Sequence, residues 1–378
     1  MTLSKSISYR HRVTRLGIHT LCIATFAILG GAIRGFNLML ILAGLIVAAA
    51  LVGWRWSRRS VQTAETQRRL PGEAFAGQTF RIRYQLSNHS RTIPLWMMRV
   101  DDAVTSPEGQ TQAGRCGAGV VPAAGASGIV IRSRIHKRGR YTYGPLVTST
   151  RFPLALFESK RVDPSEESFY VYPKLCTLRP SWRKRLKSRT GGVAMTAPKS
   201  GGSDGEFFGI RNWKSGDSPR WIHWRTTARM REPAVRQFEQ HHRFEVCVML
   251  DAFHPPGHAE SAFESAVSLT ATLLAALGRN HGDRAMLGIA AEQMTVVSDV
   301  VRAGDHRRML EPLAEVRGTA EPALTETIAA LAAAGGRHKD WVVISPRSQQ
   351  QALLTDPSLV AAIAPWIRRR SLQWIDTS

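Results

Sequence analysis

The sequence of 378 residues is poor in cysteine, and its four cysteines are far apart. They are Cys22, Cys116, Cys176 and Cys247. Without pairs at short spacing, the sequence excludes a zinc ribbon and a CxxC redox motif. We expect these cysteines to be reduced and to serve as small buried hydrophobic side chains.

Negative charge is also scarce, because 29 acidic residues face 51 lysines and arginines and give a formal charge of +22. Part of the excess lies in residues 176–204, which we interpret as a basic flexible linker. Such a charge fits anionic lipid, or alternatively nucleic acid or a solvated loop. We favour lipid because the same chain has candidate membrane helices. The basic residues concerned include Arg179, Arg183, Lys184, Arg185, Lys187 and Arg189.

Catalytic motifs are lacking as well. Gly-Gly pairs occur at 191–192 and 201–202, but no Gly-Lys-Ser/Thr sequence follows them, which excludes a P-loop. No Ser/His/Asp arrangement or pair of carboxylates has a supporting context. We therefore predict no catalytic residue, no cofactor and no bound metal, in a protein that is not an enzyme.

Two long apolar runs are present near the N-terminus, at about residues 16–33 and 38–54. Each is about long enough to cross a hydrocarbon core of roughly 30 Å as a helix. A short turn at 34–37 joins them, so residues 1–60 are predicted to form a transmembrane helical hairpin. A cleaved signal peptide is the alternative, although no small-residue cleavage site precedes the second run.

Basic residues at both outer flanks of this hairpin predict its orientation. Only Arg34 stands in the turn, and the positive-inside rule therefore places both termini and the soluble domains in the cytoplasm. The flanking residues are Lys5, Arg10, Arg12 and Arg15 before the first run, and Arg55, Arg58 and Arg59 after the second.

Residues 61–175 contain several short runs in which apolar and polar residues alternate, such as 80–86 and 128–135. A period of two residues predicts strands with one buried face. Turns at 87–90 and 137–140 separate these runs, and the spacing predicts a small antiparallel β-sandwich. Nothing in it has catalytic spacing, which indicates a structural or interaction module.

Residues 245–378 alternate between strand-like and helix-like segments. The apolar run 245–250 predicts a buried parallel strand, and 259–277 predicts an apolar helix. This alternation predicts a doubly wound α/β sheet, whose ligand sites would lie at the carboxyl ends of the strands. Further strands are expected at 285–290, 294–297, 341–345 and 370–376, and helices at 307–316, 324–334 and 349–366.

Residues 205–239 contain an unusual concentration of tryptophan and phenylalanine together with arginine, around a turn at 216–219. Asp217 or Ser218 is a suitable N-cap for a short helix from Pro219 to about Ala228. An extended stretch is expected from Ala234. We consider three interpretations: a stacking surface for single-stranded nucleic acid, a docking surface for an acidic protein, and a buried joint of ion pairs. The carboxylates of the segment disfavour nucleic acid.

The order of these residues closely resembles the signature of a bacterial family known as domain of unknown function 58, and the resemblance extends to nearly the whole chain. It implies a membrane-anchored protein of the bacterial inner membrane, associated with a MoxR-type AAA+ ATPase. The matching residues are Gly205, Glu206, Phe207, Arg211, Trp213, Gly216, Asp217, Pro219, Arg220, Ile222, His223, Trp224, Ala228, Arg229, Val235, Arg236 and Glu239.

The resemblance also implies that residues 205–378 hold the signature and a von Willebrand factor type A-like domain. In metal-binding type A domains the first strand ends in Asp-x-Ser-x-Ser, whose oxygens hold Mg²⁺. Here Asp251 matches, but Phe253 and Pro255 replace the serines. We expect Asp251 to cap the following loop in a degenerate metal site. His254 and His258 are interpreted as loop residues, because the prolines between them prevent a helix.

Two classes of function follow from these patterns. The first is a non-enzymatic scaffold or adaptor that binds protein partners: a MoxR-type AAA+ ATPase and, by the same resemblance, a transglutaminase-like membrane protein. The second is a metal-dependent hydrolase that uses Asp251, His223 and Asp217. A nucleic-acid-binding protein is a third and weaker alternative. Convergence of Asp251 and His223 in an open cleft would favour the hydrolase.

Overall fold

The computed structural model describes residues 6–182, 207–213, 219–238, 245–279, 284–297, 307–336, 339–369 and 371–377. The chain divides into two compact units. The first comprises residues 1–175 and 310–315, and the second comprises residues 176–309 and 316–378. Residues 183–204 of the predicted linker 176–204, and residues 216–218 of the predicted turn 216–219, lie outside the described residues.

Two apolar helices form the N-terminal hairpin, α1 at Arg15–Arg34 and α2 at Asn37–Thr63. Gly35 ends α1 in the left-handed conformation with φ 69°, which a glycine adopts without steric cost. Both helices are long and apolar enough to cross a membrane, with only 17% of each apolar window buried. Helix α2 continues nine residues beyond the predicted span. Its last turns pack on the β-sheets, with Ser57 and Val61 fully buried.

A strand that the sequence did not predict precedes the hairpin. Strand β1, Ser8–Val13, pairs antiparallel with β9, Phe157–Asp163. Strand β2, Ala64–Arg69, begins directly after α2. The segments on both sides of the hairpin therefore return to the same unit, at the same end of the two helices.

The first unit is built from two sheets with mainly antiparallel pairing. Strand β4 pairs with β2 and β7 in a three-stranded sheet, while a seven-stranded sheet is centred on β8. Side chains of both sheets share one core, in which Phe80 packs 5.6 Å from Phe169. The remaining strands are β3 Ala74–Phe75, β4 Thr79–Asn88, β5 Leu95–Thr105, β6 Thr111–Val121, β7 Ala126–Arg134, β8 Gly139–Thr150 and β10 Glu167–Tyr172.

A buried polar cluster joins the two sheets of this unit. Arg68 on β2 donates to both carboxylate oxygens of Asp102 on β5, at 2.8 and 3.0 Å. Tyr84 on β4 donates to Asp102 at 2.8 Å. Burial raises the pKa of Asp102, and the charge of Arg68 opposes this rise. Because each member satisfies another, the cluster fixes how β2 and β4 align with β5.

The second unit contains a five-stranded sheet in the order β15-β14-β13-β16-β17. Its four strands β14, β13, β16 and β17 are parallel, and β15 is antiparallel at one edge. The strands are β13 Glu245–Asp251, β14 Arg284–Ala290, β15 Thr295–Val297, β16 Asp340–Ser345 and β17 Leu372–Asp376. Its helices are α4 Glu260–Gly278, α6 Leu324–Ala333, α7 Gln349–Thr355 and α8 Ser358–Arg368, whereas residues 310–315 of helix α5, Arg307–Glu315, belong to the first unit.

Apolar packing between this sheet and its helices is close. Trp341 on β16 lies 4.6 Å from Trp366 on α8, centroid to centroid, in a core that also contains Met249 and Leu331. A methyl group built on Gly288 of β14 would come within 2.4 Å of Leu331 on α6. Helix α4 is also apolar enough to cross a membrane, but 61% of its window is buried, which indicates a core helix.

The cysteines differ from the sequence expectation. Cys247 is buried and Cys116 is half-buried, whereas Cys22 and Cys176 are exposed. Burial raises the pKa of Cys116 to about 11 and that of Cys247 to about 12, so both thiols are protonated at neutral pH. The expectation of a buried side chain was therefore wrong for Cys22, which lies on the apolar helix α1, and for Cys176.

Candidate functional site

The signature residues form a small structure of their own within the second unit. Strand β11, Phe207–Asn212, pairs antiparallel with β12, Ala234–Phe238. Between them are a short 3-10 helix, Pro219–Trp221, and helix α3, Trp224–Met230. The Trp213 amide donates to the Pro233 carbonyl at 2.8 Å, which continues the pairing past the end of β11. We call the described part of this region, 207–213 and 219–238, the tryptophan segment.

The helix predicted from Pro219 to Ala228 is interrupted, so that prediction was wrong in its extent. His223 separates the 3-10 helix from α3 and acts as the N-cap, with its Nδ1 accepting from the Thr226 amide at 3.3 Å. The His223 amide itself donates to the Ala234 carbonyl at 2.8 Å. This bond to β12 is incompatible with a continuous helix, because the residue must leave the helical backbone path. Arg220 therefore lies in the 3-10 helix, and Trp224 and Ala228 lie in α3.

Large apolar side chains of the tryptophan segment are exposed. Trp224 is 71% accessible, Trp221 45% and Trp213 41%, while Met230 is 52% and Ile210 39% accessible. Arg220, Ala228 and Arg229 are also exposed, whereas Val235 is buried and Ile222 is half-buried. Five exposed large apolar side chains among the 16 described residues of 210–213 and 219–230, mixed with arginines, are unusual for a surface without a partner.

Several signature positions lie beyond this description. Gly205, Glu206, Gly216, Asp217 and Glu239 are outside the described residues, and the backbone alone is described at Phe207, Arg211 and Arg236. The buried ion-paired joint of Arg211, Asp217, Arg220 and Glu239 stays a prediction.

Asp251 lies at the carboxyl end of β13, at the sheet edge where a ligand site is expected. Its side chain is completely buried. One carboxylate oxygen accepts from Ser345 Oγ at 2.8 Å and from Arg347 Nε at 3.0 Å. The other accepts from the Phe253 amide at 3.1 Å, the geometry of a loop cap.

Arg347 supplies the positive charge at this edge. Its side chain is 5% accessible, and its guanidinium lies 3.9 Å from the centroid of the Phe253 ring. Burial raises the pKa of Asp251, while the charge of Arg347 and the hydrogen bonds from Ser345 and Arg347 oppose this rise. The guanidinium lies where a cation bound to Asp251 would need to be, so the arrangement supports a structural ion pair.

His223 and Asp251 have separate hydrogen-bond partners. His223 Nδ1 lies 2.8 Å from Thr226 Oγ1, and none of the partners of Asp251 belongs to the tryptophan segment. The His254 ring stacks on Phe263 at 5.7 Å, and the His258 ring meets Phe253 edge-on at 6.1 Å. Within the described ranges, no group of three or more His, Cys, Asp or Glu side chains could hold a metal ion.

Sequence reasoning missed Arg347 at the Asp251 site. A lone arginine after a buried strand gives no signal of its own. The available clue was a buried carboxylate at a strand end, which requires a positive partner somewhere in the fold. Only the register of β13 beside β16 brings residues 251 and 347 together.

One family match covers the Asp251 site and all of the tryptophan segment except residues 207 and 208. Residues 209–350 match the family model described as Protein of unknown function DUF58. The match begins inside β11 and ends after Arg347. It does not include the helical hairpin or the two sheets of the first unit.

One curated relative is also similar to part of the chain. The Bacillus subtilis (strain 168) protein described as uncharacterized protein YeaD is 24% identical over 156 residues. The alignment spans 41% of this chain and 37% of the relative, so less than half of that protein is matched.

Solved structures give no argument about fold or function. The CARDB domain of PF1109 from Pyrococcus furiosus aligns with a TM-score of 0.20 at 9% identity, covering 29% of this chain and 92% of that domain. Pseudomonas fluorescens alkylpurine DNA glycosylase AlkC aligns with a TM-score of 0.21 at 15% identity, covering 41% of this chain and 46% of the enzyme. Both scores are too low to indicate a shared fold.

Proposed function

We propose that the protein is a membrane-anchored scaffold that binds a protein partner through its tryptophan segment. The observation that carries this proposal is the exposure of Trp213, Trp221 and Trp224 beside exposed arginines. Tryptophan and arginine are enriched among the residues that dominate binding energy at protein interfaces. Three tryptophans that stay exposed to water contribute no hydrophobic stabilisation to the fold, whereas binding of a partner would bury them.

The anchor is the hairpin of α1 and α2. Both helices have apolar surfaces that the protein leaves uncovered, and strands β1 and β2 lie at the same end of the hairpin. A two-pass topology is consistent with this arrangement. The basic flanks favour the cytoplasm for this end, with Arg34 alone in the opposite turn.

For the finer fold classes, we propose that the two sheets of the first unit form a small β-sandwich. The mixed core of both sheets supports this proposal. For the second unit we propose a doubly wound sheet of the von Willebrand factor type A kind, which is supported by the parallel order β14-β13-β16-β17 with intervening helices.

The proposed partner is a MoxR-type AAA+ ATPase with an acidic docking surface. The formal charge of +22 and the exposed Arg225 and Arg229 favour such a partner by charge complementarity. A transglutaminase-like membrane protein is a further partner that the family resemblance suggests.

Two of the three residues named for a hydrolase, Asp251 and His223, support a structural role instead. Asp251 is occupied by Arg347, Ser345 and the Phe253 amide, and His223 caps α3. An acid–base group must reach a substrate proton, and a buried, paired carboxylate has no such access. We propose that Asp251 and Arg347 hold the ends of β13 and β16 in place.

The test is a binding measurement with purified components. The full-length protein in lipid nanodiscs is titrated with the MoxR-type ATPase of the same bacterium, using wild type and Trp224→Ala. Because Trp224 is the most exposed of the three tryptophans, we expect a loss of about 2 kcal/mol or more, roughly thirtyfold in Kd.

Leu354→Ala is the matched control, because Leu354 is a large apolar side chain, 83% exposed on α7 and outside the tryptophan segment. We expect it to bind like wild type. Equal affinities for wild type and Trp224→Ala, with both proteins folded, would refute the proposed docking role.

A further inference from the structure

The loop at 151–156 lies against the base of the helical hairpin. The Thr14 amide, just before α1, donates to the Leu156 carbonyl at 2.9 Å, and Thr14 Oγ1 donates to the Ala155 carbonyl at 2.7 Å. A methyl group on Gly53 of α2 would lie 3.8 Å from Pro153. Gly53 is next to the end of the apolar run of α2, so this loop lies at the depth where a bilayer would end.

Aromatic side chains gather at the same level. The Phe152 ring stacks on Trp96 at 5.7 Å and meets the edge of Trp56 at 6.1 Å. Trp54 is 40% exposed, with the Arg58 guanidinium 5.6 Å from its ring centroid. Tryptophan concentrates at membrane–water interfaces, where the ring contacts apolar chains and its N–H contacts headgroups. This cluster therefore marks the interfacial layer.

Met97 is unfavourably placed for a protein surface in water. It is 68% exposed and has a φ of 48°, a left-handed conformation that is uncommon outside glycine, asparagine and aspartate. Thr150 Oγ1 donates to the Trp96 carbonyl at 3.1 Å and accepts from the Phe152 amide at 3.1 Å. These two hydrogen bonds connect the start of β5, which contains Met97, to the loop at 151–156. Leu154, on the loop, is 48% exposed. A strained and exposed apolar residue indicates a functional contact.

A cleft of about 210 Å³ opens between Met97 and this loop, and its polar lining includes Arg99, Arg151 and Glu158. Glu158 is paired with Arg151 at 3.0 Å, with Lys160 at 3.5 Å and with Arg12. Asp101 is paired with Arg99 at 2.9 Å and with Arg115 at 3.2 Å. The lining itself carries Arg99 and Arg151 against Glu158, a net charge of +1. Around the cleft, five cations share the two carboxylates, and this excess of positive charge attracts an anion.

We propose that this cleft binds the phosphate headgroup of an anionic phospholipid, with Arg99 and Arg151 at the phosphate and with Met97 and Leu154 among the first acyl carbons. The inference rests on the proposed membrane anchor. It adds a defined lipid site beside that anchor. In this site the apolar side chains contact acyl chains, the tryptophans lie at the membrane–water interface and the arginines contact anionic headgroups.

The test uses the full-length protein in detergent micelles, with retained lipids counted by native mass spectrometry. Phosphatidylglycerol is the probe and phosphatidylcholine the neutral comparison. Wild type should retain phosphatidylglycerol preferentially. Each basic residue near a headgroup contributes about fivefold in affinity, so Arg99→Gln with Arg151→Gln should lower retention by at least about tenfold.

The matched control replaces Arg81 and Arg132 by glutamine, because these exposed arginines face each other on β4 and β7 of the other sheet. It should retain phosphatidylglycerol like wild type. A similar loss in the control, or no loss in the cleft variant, would overturn the proposal.

Met97→Asn separates lipid contact from folding. Asparagine tolerates the left-handed backbone better than methionine, so the melting temperature should be unchanged or higher while phosphatidylglycerol retention falls. Unchanged retention would contradict the assigned role of Met97. Displacement of the lipid by excess inorganic phosphate would show a site for free phosphate, and would also overturn the lipid assignment.

A carbonate wash of membranes distinguishes failure of the anchor from failure of the lipid site. Release of the wild-type chain into the wash would contradict the hairpin anchor. Retention of the chain in the membrane without a preference for phosphatidylglycerol would contradict the lipid site alone.

Discussion

Removal of the Arg347 side chain gives the sharpest stability prediction. Arg347 is 5% accessible at its side chain and Asp251 is completely buried, so Arg347→Ala leaves a carboxylate without its charge partner. Breaking a buried ion pair from one side costs about 3–5 kcal/mol. The cost is a large share of the total stability of a domain, which is roughly 5–15 kcal/mol. We expect the second unit to be strongly destabilised at pH 7.

The pH dependence of this loss follows from the pKa of Asp251. Burial raises that pKa, so Asp251 favours folding below its unfolded pKa, and the benefit is lost as the pH rises through the folded pKa. Without Arg347 the folded pKa rises further, because the opposing positive charge is gone. The loss of stability in Arg347→Ala relative to wild type should therefore become smaller as the pH is lowered from 7 to about 4, near the unfolded pKa of an aspartate.

The assay is amide hydrogen exchange by mass spectrometry on the full-length protein, because a chain of two units is unsuited to a single two-state unfolding curve. Peptides from β13 and β16 report the opening of this sheet. A loss of about 3–5 kcal/mol raises their opening equilibrium roughly a hundredfold to a few thousandfold. Arg368→Ala, at an exposed arginine of α8, is the matched control. Exchange in Arg347→Ala within about fivefold of wild type would refute the structural role of the pair.

Three further predictions concern packing, acid stability and topology. Gly288→Ala should cost about 1–3 kcal/mol in the opening of the second unit's sheet, measured by hydrogen exchange of β14 peptides, because the new methyl group would meet Leu331 at 2.4 Å; unchanged exchange would show that α6 moves freely. Burial by itself would raise the pKa of Glu158, but hydrogen bonds from Arg151 and Arg12, together with the charges of Lys160 and Arg151, lower this pKa on balance. The contribution of Glu158 to stability is therefore present above about pH 4.3 and lost as the pH falls through the folded pKa. Glu158→Gln should flatten the acid limb of the pH–stability curve of the first unit, and an unchanged limb would contradict this. Alkaline phosphatase fused after residue 60 should be inactive in cells, since the proposed topology keeps it in the cytoplasm, and an active fusion would overturn that topology.

The hairpin and most strands and helices could be predicted from the sequence because their signals are local. Apolar runs define α1 and α2, and alternation or continuous apolar stretches define strands such as β4 and β13. Strand β1 escaped prediction because its residues, SYRHRV, are polar and exposed on an edge. The only sign of its existence is the pairing partner β9, which lies about 150 residues away in sequence.

The candidate sites could be predicted only in part, for a related reason. The sequence identifies the tryptophan segment, but the break at His223 arises from a hydrogen bond to Ala234, which no local propensity reveals. Asp251 was expected to cap a loop, and its bond to the Phe253 amide has that geometry. Its bond to Arg347 depends on parallel pairing of two strands whose ends are 94 residues apart. Long-range register, rather than composition, decides both sites.

Docking of a protein partner at the membrane by the tryptophan segment can be tested by photo-cross-linking. A photoactivatable amino acid is placed at position 224 of the full-length protein, and intact membranes that contain the MoxR-type ATPase are irradiated. We expect a cross-linked product that contains both proteins, and none when the same probe stands at position 354. No ATPase product from position 224, or equal yields from both positions, would show that the segment does not dock this partner.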